Sequence, residues 1–215
     1  MATSHDHRLS PRLHLPRHRT SAPRTTIDDA GPDTVTASRA VALVRPTDVA
    51  VAGLRVLLGF VFLWAFLDKA FGLGYATASG KGWVDGGSPT KGFLSHVHVG
   101  PMAGTLRGWA GEGWADWLFM LGLLGIGGAL ILGIGLRMAA LAGTAMMALM
   151  WIAEWPPAKH LDTGAATSST NPFTDYHVIY AIALIALAAV AVGGRLGLGA
   201  RWARLPIVRD HRWLL

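Results

Sequence analysis

The sequence predicts an all-α protein, a polytopic membrane four-helix bundle with both termini in the cytoplasm. Two observations predict it. Four runs are long and apolar enough to be candidate membrane spans, and the arginines are distributed asymmetrically around them. The clearest run is Val49 to Phe71, twenty-three residues with three charges, and about 20 helical residues cross a hydrocarbon core. Trp114 to Leu136, Met138 to Trp155 and Tyr176 to Val192 are three further candidates. Seven arginines fall within residues 1–46, and Arg195, Arg201, Arg204, Arg209 and Arg212 follow the last span. Arg137 sits in the short connection between the second and third spans. The two other connections carry only Lys81, Lys91, Arg107 and Lys159. Positive residues mark the cytoplasmic side, so the termini and the Arg137 turn are expected inside.

The division is residues 1–46, a basic N-terminal arm, residues 47–206, the four-helix domain, and residues 207–215, a cytoplasmic tail. The arm is rich in Arg, His, Pro, Ser and Thr, so disorder is expected over residues 1–40. It has no apolar core before Val49 that would make a signal peptide. A transit-peptide reading rests on the single acid in residues 1–26. The net charge of +6 is concentrated at the ends, which fits a topology-setting tail and not a nucleic-acid footprint. With no cysteine, disulfide, thiolate, Fe–S and c-type haem chemistry are excluded within this chain.

Taken in order, the first span is expected to start after Pro46, with Thr47 or Asp48 as cap, and to end near Gly72–Gly74. Residues 72–113 form a loop rich in Gly and Trp. Within it Phe93, Leu94 and Val97 share one helical face, Met102, Leu106 and Trp109 another, with Pro101 between; short helices lying in the membrane interface fit this pattern. Trp83, Trp109, Trp114, Trp117, Trp151 and Trp155 would populate an outer aromatic belt. Asp116 is a plausible cap for the second span. Gly125, Ala129 and Gly133 recur every four residues there, as do Ala140, Thr144 and Ala148 on the third. Small residues at this spacing let helices approach closely in lipid, so the second and third spans are expected to be a tight antiparallel pair. The third span ends at Pro156–Pro157, and the fourth begins after Asn171–Pro172.

Charged groups inside a span are costly and call for a reason. Arg55, Gly59, Phe62, Phe66 and Lys69 share one face of the first helix at 100° per residue. Gly59 leaves a gap beside Arg55, which suits a quinone headgroup or another anion; a snorkelling arginine or a lipid phosphate contact is the alternative. A second group gathers at the outer helix ends: Asp68, Lys69, Glu154, Asp175 and His177. Acids, an imidazole and an ammonium at one depth suit proton transfer coupled to a quinone or a small anion. Helix capping by Asp175, an Asp68–Lys69 pair and a structural His177 are the alternatives. His96 and His98 lie in a loop without a third ligand. No metal and no haem are expected, because haem asks for histidines that face each other inside the bundle.

Four stretches carry a resemblance. They are RVLLGFVFLWAFLDK at 55–69, DGGSPTKGFL at 85–94, DWLFMLGLLGIG at 116–127 and NPFTDYHVIY at 171–180. Together they resemble the DoxX superfamily of small four-helix membrane proteins, and within it the DoxD-type membrane subunit of thiosulfate:quinone oxidoreductase, over about residues 47–206. Arg55, Gly59 and Lys69 match the pattern of the first helix; Asn171, Pro172, Asp175 and His177 match the start of the last. Phe66 stands where a glycine is commoner. The resemblance implies a multi-pass protein of a bacterial cytoplasmic membrane, working with quinone, a partner redox subunit and membrane lipid, and as a possible homo-oligomer. Electrons from a small substrate such as thiosulfate would reach quinone near the outer helix ends. Lys69, beside Asp68, would attract the anion, Glu154, Asp175 and His177 would handle protons, and Arg55 with Gly59 would meet the headgroup. A non-catalytic scaffold or assembly factor for soluble redox enzymes is the other expectation, and a small-solute transporter, which would need an oligomer, the third.

Overall fold

The computed structural model describes residues 44–190 and 196–215. Residues 1–43 of the N-terminal arm, the end of the fourth predicted span and Arg195 lie outside the described residues. What is described is all-helical, with no strand beyond an isolated bridge between His160 and Ala166. The helices are α1 (Pro46–Phe71), α2 (Lys91–Leu94), α3 (Ala103–Gly108), α4 (Gly113–Leu132), α5 (Leu136–Glu154), α6 (Tyr176–Val190), α7 (Gly199–Trp202) and α8 (Pro206–Asp210). Among the described residues α1, α4 and α5, at 26, 20 and 19 residues, are long and apolar enough to cross a membrane. The apolar α6 is shorter over its described part.

Helix boundaries follow local chemistry. Proline is favoured in the first turn, where its missing N–H costs nothing, and Pro46 is the first residue of α1 instead of a stop before it. Asp48 reaches back to accept from the Arg45 N–H at 3.1 Å. At the other end Gly72 takes a left-handed conformation, and its N–H donates to Asp68 O. The α4–α5 turn is three residues, Gly133–Gly135, with both glycines left-handed, so the two helices run antiparallel as expected.

The closest backbone approach is not where the sequence placed it. A Cβ on Gly125 would meet open space, whereas one on Gly127 would come within 2.7 Å of Leu63 N and one on Gly59 within 2.9 Å of Leu130 Cβ and Ile131 Cγ1. The tight crossing therefore joins α1 to α4 through Gly59 and Gly127. A second joins α5 to α6, where a Cβ on Gly143 would strike Leu184 Cδ1 at 2.6 Å. The four-residue spacing on α4 was real, but its register relative to α1 decides which glycine is used. Between these pairs lies one apolar core that includes Leu58, Phe62, Met120, Ile126, Leu130, Leu184 and Leu187.

The short helices α2 and α3 lie in the long loop between the first two spans, where the sequence placed short amphipathic pieces. Phe93 of α2 is exposed, but most apolar side chains of this segment turn inward: Val97, which follows α2, and Ala103 and Leu106 of α3 are buried against Ala153 at the end of α5, with Met102 and Trp109 beside them. They roof the ends of the long helices. The tryptophans pair edge-to-face: Trp83 with Trp117 at 4.5 Å, Trp109 with Trp114 and Trp151 with Trp155 each at 5.4 Å between centroids. Such pairs favour this geometry because the ring edge is positive and the face negative.

Asp116 is not the cap of α4, because Glu112 holds that position. Asp116 lies inside the first turns, buried, and its Oδ1 accepts from Ser88 Oγ (2.9 Å), Thr90 N (3.0 Å) and Thr90 Oγ1 (2.6 Å). The Gly111 N–H donates to Thr90 Oγ1 at 3.2 Å. One carboxylate thus fastens the long loop to α4. Removing it strands several donors, each worth about 1–3 kcal/mol when buried without a partner. Asp116→Ala is expected to cost about 3 kcal/mol or more by that measure. A thermal unfolding midpoint in detergent would fall, with proteolysis starting between residues 80 and 112; an unchanged midpoint would show that the loop is held by packing alone.

Candidate functional site

Glu154, Asp175 and His177, three of the five ionisable residues expected together, converge where α5 ends and α6 begins. Asp175 precedes α6 and caps it: its Oδ1 accepts from the backbone N–H groups of His177 (3.1 Å) and Val178 (3.2 Å). This satisfies donors that a helix start leaves free. Its Oδ2 lies 2.7 Å from His177 Nδ1. One side chain therefore both caps α6 and meets the imidazole. Upstream, Asn171 Oδ1 accepts from Phe173 N and Thr174 N, a turn that sets the direction in which α6 starts.

His177 is in the core-facing stripe of α6 with Leu184 and Leu187, spaced by seven and ten residues. Its side chain is 0% exposed, against 16% for Asp175 and 36% for Glu154. Glu154 Oε2 is 4.0 Å from His177 Nδ1. Tyr176 donates its hydroxyl to Glu154 Oε1 at 2.8 Å, and its ring lies against the imidazole with centroids 3.9 Å apart. The sequence reading missed Tyr176. Its phenol reaches Glu154 only because α5 and α6 are antiparallel neighbours, which spacing within one helix does not reveal.

A carboxylate can only accept, so Nδ1 carries the proton toward an ionised Asp175. In the neutral ring Nε2 is then a bare acceptor. This nitrogen is buried and has no hydrogen-bond partner among the described residues. The arrangement grades from a buried imidazole through a half-shielded acid to an exposed one, a geometry able to hold and pass a proton between interior and surface.

Glu154, Asp175 and His177 also present one ligating atom each within 4.8 Å of one another, the one group among the described residues that could hold a metal ion. Metal-bound histidines normally donate their other ring N–H. A cation on Nδ1 would leave Nε2–H facing the core without an acceptor, so the donor set suits a proton better than a metal. His96 and His98 stay apart from this group: His96 Nδ1 lies 2.7 Å from Gly92 O one turn back, and His98 Nδ1 3.2 Å from Asp162 in the loop after α5.

Other expected site residues are placed elsewhere. Asp68 is buried and accepts from Tyr75 N (3.2 Å) and Thr77 N (2.8 Å), closing the turn after α1. Lys69 makes no ion pair with Glu154 or Asp175 among the described residues; it lines a separate apolar cavity. Arg55 is buried at the opposite end of the helices. Its NH1 donates to Leu196 O at 2.9 Å, and its guanidinium packs against Gly133 and Gly197, where the carbonyl end of α4 favours a cation. The gap expected beside Gly59 is filled by Leu130 and Ile131 of α4. Arg55 and Gly59 therefore serve helix packing and closure in this arrangement, because a neighbouring helix occupies the space a headgroup would need.

Comparison with protein-family models, with curated proteins and with solved structures finds no match.

Proposed function

We propose that α1, α4, α5 and α6 cross the membrane as a four-helix bundle with both termini cytoplasmic, and that the chain is the membrane subunit of a quinone-linked oxidoreductase. Its resemblance to the DoxX superfamily motivates the reading. The observation that best supports it is His177, whose unpartnered Nε2 faces inward while Nδ1 leads to Asp175 and Glu154.

Proton balance explains why such a group is useful. Joining two thiosulfate anions through a new S–S bond releases two electrons and no proton. Reducing a quinone to a quinol takes up two electrons and two protons. In hydrocarbon there is no water to supply them, so the protein must. An imidazole whose Nε2 can hydrogen-bond a quinone oxygen, and whose Nδ1 connects to surface acids, meets that need. The electrons come through a partner redox subunit, and membrane lipid surrounds the helices.

The test is quinone reduction by thiosulfate in membranes containing the chain and its co-purified partners. A thiosulfate-dependent rate that is lost with His177→Ala supports the reading. Equal rates in wild type and variant would reject the site. Stable co-purification of soluble redox enzymes without turnover would transfer the reading to a scaffold.

A further inference from the structure

A cavity of about 420 Å³ opens between α4, α5 and the roof formed by residues 89–109. That is within the range of small-molecule sites, roughly 300–1,000 Å³. Its floor is buried: Ile126, Leu106 and Ala153 are all nearly inaccessible. Its mouth is apolar and exposed, with Leu118 at 66% and Leu149 at 44%, so in a bilayer it would face acyl chains. Along α5 the lining runs from Ala142 to Ala153, about 16 Å at 1.5 Å per residue. The one charged side chain in this lining is Lys69.

We propose that this cavity binds one free long-chain carboxylate, a fatty acid, with its tail between α4 and α5 and its carboxylate on the Lys69 ammonium. The proposal is independent of the quinone reading, since neither His177, Asp175 nor Glu154 lines this cavity.

Charge fixes the head. An ammonium beside apolar walls is costly unless an anion or acceptor meets it. Lys69 has no ion-pair partner within 4 Å among the described residues. The neighbouring acids direct their oxygens to other donors, Asp68 to Tyr75 N and Thr77 N and Asp116 to Ser88 and Thr90, so they act on the ammonium only as more distant charges and leave its contact position open. Size and polarity select the class. A small hydrated dianion such as thiosulfate would lose its water against apolar walls with one ammonium in return. A phosphodiester headgroup needs several donors, yet the Thr90 hydroxyl already donates to Asp116 and accepts from Gly111 N. A single carboxylate needs one cation, and a single chain fits one slot.

The test is equilibrium binding of radiolabelled palmitate to the full-length protein in detergent. Saturable binding at one site per chain is expected. A hydrogen bond to a charged group is worth about 1.5–3 kcal/mol, so Lys69→Gln should weaken binding roughly tenfold or more, while Lys69→Arg should retain it within about threefold by the same conversion. Ala145→Phe, which fills the slot without touching the head, should also weaken it. Methyl palmitate should compete poorly. The proposal fails if binding is not saturable, if Lys69→Gln binds as wild type does, or if the methyl ester competes as well as the acid. Preferential displacement by lysophosphatidylglycerol would assign the cavity to phospholipid instead, and equal displacement by decylquinone would assign it to neutral amphiphiles; either overturns the proposal.

Discussion

Under the proposed function, replacing His177 with asparagine is expected to lower thiosulfate-dependent quinone reduction by about 10²- to 10⁴-fold, the usual contribution of a positioned acid–base group. Asparagine keeps the approximate shape and can accept from a neighbour, but it cannot carry a proton between the interior and Asp175. Fold and insertion should survive, because the asparagine amide N–H can take over the donation that Nδ1 makes to Asp175 Oδ2, and Nε2 has no partner to lose among the described residues. Tyr176→Phe is a graded companion. It keeps the ring against the imidazole and removes only the hydroxyl that donates to Glu154 at 2.8 Å. Its effect should be a few-fold, on the scale of about 1 kcal/mol for one exposed hydrogen bond. Steady-state rates in matched membrane preparations separate the two. A His177→Asn variant as fast as wild type would remove the imidazole from the proposed mechanism and leave it a core-packing residue.

The second large effect belongs to the α1–α4 crossing. Gly127→Leu is expected to destabilise the bundle strongly, because its Cβ alone would come within 2.7 Å of the backbone nitrogen of Leu63. Backbone cannot rotate away as a side chain can. Overpacking costs about 1–3 kcal/mol and sometimes more. At roughly 2–4 °C per kcal/mol for a domain of this size, the unfolding midpoint should fall by about 5–10 °C. Gly125→Leu is the control. It sits two residues away on the same helix, and its Cβ would meet nothing within 4 Å. Replacing a helical glycine there gains intrinsic propensity, so the midpoint should hold or rise. If Gly125→Leu were the damaging variant and Gly127→Leu the silent one, the α4 interface would lie on the other face.

That pair of variants also marks how far the sequence could be read. The apolar runs announced the long helices, since length and hydropathy need no knowledge of neighbours. α1, α4 and α5 appear close to their expected positions, and the Gly133–Gly135 turn makes α4 and α5 antiparallel. Faces were harder. A glycine repeat shows that some close approach exists, but in a helix apolar on every side it cannot say which partner takes which glycine. The same ambiguity misplaced Gly59, which meets α4 and not a headgroup. Asp116 resembled a cap because it stands near a helix start. Its actual work, holding Ser88 and Thr90, depends on a loop folding back from 26 residues earlier in the chain.

The candidate site divides along the same line. Asp175 and His177 are two residues apart, and their capping geometry is local, so the sequence carried it. Glu154 joins them from another helix, and its inclusion rested on depth, which antiparallel connectivity makes predictable. Asp68 and Lys69 sit next to each other in sequence, yet one carboxylate closes a turn and the neighbouring ammonium lines a cavity. Adjacent helical positions diverge by 100°, and depth alone does not resolve that.

The most direct measurement is the sidedness of the chain in the membrane, and the absence of cysteine makes it clean. Single substitutions Ser38→Cys, Ser79→Cys, Thr163→Cys and Arg201→Cys would be labelled in intact cells with a membrane-impermeant maleimide, then again after permeabilisation. Four crossings with cytoplasmic termini require Ser79→Cys and Thr163→Cys to react in intact cells, and Ser38→Cys and Arg201→Cys to react only once the membrane is opened. Labelling of Ser79→Cys and Thr163→Cys from opposite sides, or of the two terminal positions in different compartments, would contradict the account.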